Sequence, residues 1–359
     1  MNKFNIAIIG AGIGQEHLAA YLELPDKFTV KTLCDIDEER AKSICGDHSN
    51  IQIETNFDAV LEDKDIDIID ICLPPHLHFK MSMDALAAGK HVICEKPLVN
   101  SLKEADLLAL QAKKFDRVLT PVFQYRFGPA MTKLNALIDA GYAGRPLVAS
   151  IETHWHRDKE YYNNPWRGTW KGEQGGAVLG HAIHNHDLLC AVFGPIRQLS
   201  AFTQTRVNDI EVEDCASISF QMKNGALASS SITLGAAQDT TRLRFCFEKL
   251  TAESGELPYA PAAGDWKFIS RGPGDIGAQQ SEIDEFLNTV PAQNAGYIGF
   301  FDALWHKLNG KTNNAVSFED GRRSLELVSA IYQSTRSKKI VNLPLSQDDE
   351  YYHGWMPKN

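Results

Sequence analysis

The sequence predicts an α/β fold with two parts. An N-terminal doubly wound parallel sheet is followed by a C-terminal α+β domain carrying a large, open, mostly antiparallel sheet. Three observations carry this. The first third alternates apolar runs with helical stretches, which implies parallel strands joined by crossovers. Beyond residue 123 strand-like runs follow one another with few helices between them. Finally, 359 residues are too many for one ordinary core, so two domains are expected, over 1–123 and 124–359.

In order, Asn5–Ile9 reads as a strand running into Gly10-Ala11-Gly12-Ile13-Gly14. Gln15–Leu24 is helical and stopped by Pro25, and Thr29–Cys34 is the second strand. Asp37–Ile44 is helical, and Ile66–Leu73 is a long apolar run ended by Pro74-Pro75. His76–Ala88 forms a helix with Gly89 as its cap, and His91–Cys94 is again a strand. Ser101 and Glu104 form a capping box for a helix reaching about Lys114, and Val118–Phe123 closes the set. In the second part the strands are Leu147–Thr153, Gln198–Thr205, Ala216–Met222, Ala226–Leu234 and Arg242–Phe247. Asn224-Gly225 marks a hairpin. Ala216, Ile218, Phe220 and Met222 alternate with Ser217, Ser219 and Gln221, so one face of the sheet is apolar. Helices over 297–309 and 319–336 complete the domain.

A net charge of −10 with scattered acidic residues argues against a nucleic-acid or anionic-membrane partner, which would need a basic face. It fits a small, uncharged substrate. No apolar run approaches the roughly 18 residues of a membrane span. The seven cysteines make no CxxC pair, and Met1–Gly10 is too short for a signal peptide. A reducing compartment, the cytoplasm, is expected.

The glycine turn follows a strand and opens a helix, the context in which Gly10 allows the tight turn and Gly12 lets the backbone approach a pyrophosphate. Asp35 ends the second strand, where its carboxylate reaches ribose hydroxyls. Ile36 follows where an NADP enzyme often has arginine, so NAD is favoured over NADP. The motif departs from the ideal at one place, since Gln15 stands where glycine or alanine is usual and Gly14 comes one residue early.

Lys96, in Cys94-Glu95-Lys96-Pro97, lies at the carboxyl end of a strand of this sheet, at the crevice where a nicotinamide rests. The segment Gly175-Gly176 to Asp187 places His184 one helical turn from both His181 and Asp187, a histidine with a carboxylate to orient it. His154, His156, His181, His184, His186 and Asp187 also suggest a zinc site, but the spacings match no zinc pattern and no metal is expected. From Trp155 to Trp170 aromatic residues stand beside Arg157 and Arg167. They suit a sugar pocket, with an ordered loop or a subunit contact as the alternative.

Along essentially its full length the chain resembles the glucose–fructose oxidoreductase / inositol dehydrogenase / MocA (Gfo/Idh/MocA) family. The matching pieces are the glycine turn running on to Glu16-His17, Asp35, and Leu73-Pro74-Pro75 with His78. Then come Ala88 to Val92 leading into Glu95-Lys96-Pro97, Tyr125-Arg126-Phe127 with Pro129, and the Gly-Gly segment with His184 and Asp187. Glu213-Asp214, Asn224-Gly225 and Glu319 to Arg322 also match. The resemblance implies a Rossmann domain, an open-sheet domain that mediates homodimers or homotetramers, and Lys96 and His184 acting at the substrate carbon. An aspartate that inositol dehydrogenase-like members carry four residues before this histidine is Gly180 here, leaving His181 or Asp187 as the polar partner.

The candidate cofactor contacts are therefore Gly10, Gly12, Ile13, Gly14, Asp35, Leu73, Pro74, His78, Glu95, Lys96 and Gln124. The candidate substrate contacts are Lys96, Tyr125, Arg126, His156, Arg157, Trp166, Arg167, His181 and His184. The expected activity is NAD-dependent oxidation of a secondary alcohol of a sugar, glycoside or cyclic polyol. The alternatives are a glycosidase using NAD transiently and a non-catalytic NAD-bound sensor.

Overall fold

The computed structural model describes residues 1–271, 276–311 and 314–357. The chain divides into two compact units, Met1–Phe123 with Tyr297–Leu325, and Gln124–Gly296 with Glu326–Asn359. No helix among the described residues is long and apolar enough to cross a membrane.

The first unit holds β1 (Phe4–Ile9), α1 (Gly14–Leu22), β2 (Phe28–Cys34), α2 (Glu38–Cys45), β3 (Gln52–Glu54) and α3 (Phe57–Glu62). It continues with β4 (Ile68–Ile71), α4 (Pro75–Ala87), β5 (His91–Cys94), α5 (Leu102–Phe115) and β6 (Leu119–Pro121). The strands are all parallel in the order β3-β2-β1-β4-β5-β6. The order reverses between β1 and β4, so a crevice opens at their carboxyl ends, where ligands of such sheets bind. Every residue of β4 is buried, as a central strand covered on both faces requires.

The compact units differ from the expected domains, 1–123 and 124–359, at one stretch, 297–325, which lies in the first unit. The helix over 297–308 packs into the first unit because its apolar face fits there. Phe301 is fully buried and stacks on Tyr21 with ring centroids 3.9 Å apart. Trp305 donates through Nε1 to the Asn2 carbonyl (2.8 Å), and Thr120 donates to Val316 O (2.9 Å).

The second unit is built from α6 (Pro129–Asp139), β7 (Pro146–His156), α7 (Trp170–Glu173), α8 (Ala177–Gly180), α9 (Ile183–Phe193) and β8 (Ile196–Gln204). Then follow β9 (Cys215–Met222), β10 (Leu227–Thr233), β11 (Gly235–Phe247), β12 (Leu250–Glu253), β13 (Lys267–Ser270) and α10 (Ile276–Thr289). Helix α11 (Gly296–Leu308) is the one placed above, α12 (Phe318–Ser337) and β14 (Val341–Asn342) come next, and a short 3-10 turn, Glu350–His353, follows. The eight strands run β13-β12-β11-β7-β10-β9-β8-β14, antiparallel except for the β7–β10 pair. Asn224-Gly225 makes the β9–β10 hairpin, with Gly225 at φ +92°. Ala216, Ile218, Phe220 and Met222 are buried while Ser217 and Ser219 face out, so one side of the sheet carries the core and the other is polar. Helix α9 lies on the apolar side. Asn185 donates to Thr153 Oγ1 (2.7 Å), and His186 Nε2 lies 3.0 Å from Ser230 Oγ.

Candidate active site

The glycine turn is a cradle in the first unit. Gly10 has φ +104°, and a Cβ there would sit 2.5 Å from the Cys72 carbonyl oxygen. A Cβ on Gly14 would meet Ile8 Cγ2 at 2.9 Å, so this glycine lets α1 press against β1. The early glycine thus performs the helix–strand packing that the motif assigns to its third glycine, and Gln15 is exposed to solvent. A Cβ on Gly12 would meet nothing within 4 Å, which leaves the main chain open above the turn beside exposed Ile13.

Asp35, at the end of β2, is tied to this turn. Its Oδ2 accepts from Ala11 N–H (2.6 Å), and its Oδ1 accepts from Asp37 N–H (2.9 Å) and from the Arg40 guanidinium (2.7 Å). Burial alone would raise its pKa, but the Ala11, Arg40 and Asp37 donors outweigh burial and hold it below the usual carboxylate value. The open backbone of the turn and the ionised carboxylate fit a dinucleotide.

His78 is buried, with Nδ1 2.7 Å from Pro97 O and Nε2 2.7 Å from Leu73 O. It braces the loop after β4, where Leu73 and exposed Pro74 lie, against the Glu95-Lys96-Pro97 turn after β5. Glu95 is buried and Lys96 partly exposed.

In the second unit the histidine segment departs from the single helix expected. Both His181 N–H and Ala182 N–H bond to Ala177 O (3.2 and 2.9 Å), which closes α8, and α9 begins at Ile183. His181 therefore leaves the face shared by His184 and Asp187. Its ring lies edge-on to Trp155 (5.4 Å), with Nε2 3.4 Å from Tyr161 Oη. His184, buried in the first turn of α9, stacks on Tyr125 with centroids 4.4 Å apart and planes 23° from parallel. Asp187 accepts two hydrogen bonds from Arg126 (2.6 and 2.5 Å), a bidentate pair that ties residues 124–126 to α9. Gln124 is buried beside them.

The aromatic loop forms a cluster around two arginines. Arg157 lies over the Trp155 and Tyr161 rings (5.2 and 5.1 Å) and pairs with Asp239 (3.0 Å). Arg167 lies over Tyr161 and Trp166 (4.1 and 4.5 Å), donates to Tyr161 Oη, and pairs with Glu173 (3.2 Å). His156 faces solvent, with Nδ1 3.1 Å from Ala236 O. Two members escaped the sequence reading. Tyr259 accepts from Arg157 (2.9 Å) and donates to Asp239. Neither Tyr259 nor Asp239 stands in a motif, and folding brings them to Arg157, Asp239 from β11 and Tyr259 from the segment between β12 and β13.

Glu213 was read as a family match without a role. It is buried and accepts from Gly176 N–H (3.2 Å), Val178 N–H (3.0 Å) and Tyr332 Oη (3.1 Å). Burial pushes its pKa up to about 7 despite the Val178, Tyr332 and Gly176 donors. An acid raised in the folded state stabilises the fold below its unfolded pKa, and this is lost as pH rises through about 7. Glu213→Gln should therefore gain stability relative to wild type between pH 5 and pH 8, by on the order of 3 kcal/mol. Urea midpoints at the two pH values check this.

Among the described residues one trio has donor atoms close enough to share a metal, His17, Asp70 and Cys72, and it lies outside the histidine set considered from sequence.

Residues 4–123 match the oxidoreductase family with an NAD-binding Rossmann fold, and residues 131–253 match the Gfo/Idh/MocA C-terminal domain. The chain belongs to the Gfo/Idh/MocA family. Levoglucosan dehydrogenase of Pseudarthrobacter phenanthrenivorans is 26% identical over 96% of this chain and 99% of its own. D-glucoside 3-dehydrogenase of Escherichia coli is 23% identical over 95% and 98%. The WlbA dehydrogenase from Bordetella pertussis, crystallised with NADH and UDP-GlcNAcA, superposes with a TM-score of 0.81 at 25% identity, covering 96% of this chain and 100% of that one. The protein is thus an oxidoreductase with an NAD-binding Rossmann domain and sugar dehydrogenases among its relatives.

Proposed function

We propose that this Gfo/Idh/MocA protein oxidises a secondary alcohol of a sugar, glycoside or cyclic polyol, using NAD⁺ in preference to NADP⁺. The observation that carries the reading is the open glycine turn with ionised Asp35, in the same parallel sheet whose strand β5 is followed by Glu95 and Lys96. A 2′-phosphate would meet the charge of Asp35, whereas ribose hydroxyls would donate to it.

NAD⁺ supplies the hydride acceptor when bound. The rest falls to side chains. His184 takes the hydroxyl proton as the C–H electron pair leaves with its hydrogen as hydride and the carbonyl forms. Lys96 stabilises the developing alkoxide and holds its oxygen in place. Tyr125 fixes the plane of the His184 ring, and the Arg126–Asp187 pair anchors both residues, so Asp187 supports His184 by position. Trp166 and the Arg157, Arg167 and His181 cluster contact sugar C–H faces and hydroxyls. Each arginine of that cluster already has a carboxylate partner, which favours a neutral substrate. The polar side of the second unit's sheet is the surface through which we place a homodimer or homotetramer, and seven free cysteines suit the cytoplasm.

A panel of aldoses, glycosides and cyclic polyols with NAD⁺, followed by NADH absorbance, tests the reading. Net NADH is expected. Aglycone released without net NADH would assign a glycosidase instead, and no turnover of any kind would assign a sensor. Gly12→Ala tests the cradle separately. With nothing near its Cβ the variant should melt with wild type, while its methyl group blocks pyrophosphate approach and weakens NADH binding at least about tenfold by fluorescence titration.

A further inference from the structure

Helix α1 carries more than the cofactor turn. His17, in its first turn, is completely buried, and each ring nitrogen faces a carboxylate. Nδ1 is 2.8 Å from Asp70 Oδ2 on β4, and Nε2 is 3.2 Å from Glu95 Oε1 just past β5. The other oxygen of Glu95 accepts from the Lys96 main-chain N–H (3.0 Å). A continuous line of polar contacts thus runs Asp70–His17–Glu95–Lys96 through the interior of one unit.

Every element around His17 contributes. From α1 itself, Tyr21 donates to Asp70 Oδ2 (2.9 Å). From the end of β4, Cys72 Sγ lies 3.4 Å from Nδ1, and burial pushes its thiol up to about 12, so it stays neutral. From α11, Tyr297 donates to Glu95 Oε1 (3.3 Å), and the Tyr297 and Phe301 rings pack against the imidazole at 4.5 and 5.4 Å. Two carboxylates this deep need a cation between them, and an imidazolium offers a donor to each. Burial alone would discharge the ring, yet the Asp70 carboxylate outweighs burial and holds its pKa well above 6.5. Although His17, Asp70 and Cys72 could share a metal, Nδ1 and Oδ2 stand at hydrogen-bond distance, and Nε2 is engaged by Glu95.

We propose that His17 is a positioning residue for Lys96. As an imidazolium bridging Asp70 and Glu95, it locks the turn that carries the lysine and limits the negative charge behind it. This rests on the assignment of Lys96 made above. The three groups sum to −1. His17→Gln leaves −2, or forces a carboxyl to take up a proton, and either change alters the field at Lys96. His17→Gln with Glu95→Gln returns the sum to −1 and keeps an amide oxygen for the Lys96 N–H.

The first test needs no substrate. Long-range ¹H–¹⁵N spectra of the ¹⁵N-histidine-labelled full chain report protonation at each ring nitrogen. The His17 signals are assigned by their loss in His17→Gln or, if that variant does not fold, by their displacement in Tyr297→Phe. His17 is expected to remain doubly protonated at pH 8, and a single-tautomer neutral ring at pH 7 overturns the proposal. The second test follows NAD⁺ reduction with the best alcohol of the panel. His17→Gln should lower kcat at least about tenfold and displace the pH profile by about one unit, while NADH affinity stays within about threefold. The double variant should bring the profile back. Wild-type kcat and profile in His17→Gln would overturn the inference while leaving Lys96 in place. An active Lys96→Ala would instead remove the Lys96 assignment, whatever His17 does.

Discussion

Lys96→Ala should lower kcat by about 10²–10³-fold and leave NADH affinity nearly unchanged. The lysine stands immediately past β5, at the end of the sheet where the glycine turn lies. The turn is held by its own contacts, the Ala11 N–H to Asp35 bond and the close approaches of Gly10 to Cys72 and of Gly14 to Ile8. On the role proposed for Lys96, removing the ammonium takes away the charge opposite the nascent alkoxide while the contacts that hold the cradle stay in place. Lys96→Arg is a sharper control, because a planar fork cannot occupy the position of a compact ammonium even though the charge survives. It should recover only a small part of the lost rate. Stopped-flow hydride transfer separates this from a change in product release, and fluorescence titration of NADH checks the cradle. Wild-type turnover in Lys96→Ala would remove the residue from the chemistry.

The part of this arrangement that lies along the chain could be read from the sequence, and the part made by folding could not. The strand His91–Cys94 has the bounds expected, since four apolar or half-apolar residues between Gly89 and Pro97 leave little choice. The β9–β10 hairpin likewise follows from Asn224-Gly225 between alternating runs. Strand β3 went unread because Gln52–Glu54 is three residues long with a single apolar residue, Ile53, and its pairing with β2 supplies the order that its composition does not. Helix α11 reads correctly as a helix, but nothing in its periodicity says which core it enters. The same limit hid the His17 line. Asp70 inside an otherwise apolar run signals a buried carboxylate in need of a partner, yet the partner is 53 residues away. For His181 the sequence misled by periodicity, because spacing of three suggests one helical face while the main chain at Ala177 accepts two bonds and ends the turn.

Gly176→Ala should be the most disruptive small substitution in the second unit. A Cβ built there lies 1.9 Å from the Glu213 carbonyl oxygen and 2.8 Å from its carbonyl carbon. Real contacts never approach so closely, and the obstacle is main chain that cannot swing aside. The Ala177 N–H donates to that same oxygen (2.8 Å), so moving the two segments apart also breaks this bond and exposes the Glu213 carboxyl to loss of its Gly176 and Val178 donors. The expected cost is about 3 kcal/mol or more, combining overpacking with an unsatisfied buried acid. Because α8 and α9 follow directly, His184 should lose its fixed place on Tyr125, and turnover should fall even in the fraction that remains folded. Urea unfolding together with the rate per folded molecule distinguishes these two effects. At Gly175 the obstacles are the Tyr332 hydroxyl at 2.6 Å and Leu179 Cβ and Cδ2 at 2.9 Å, side-chain atoms at longer distances than the 1.9 Å main-chain clash at Gly176, so Gly175→Ala should cost less. Equal stability of the two variants would show that the segment before α8 can relax, and that the glycine pair is not what holds the histidine helix in place.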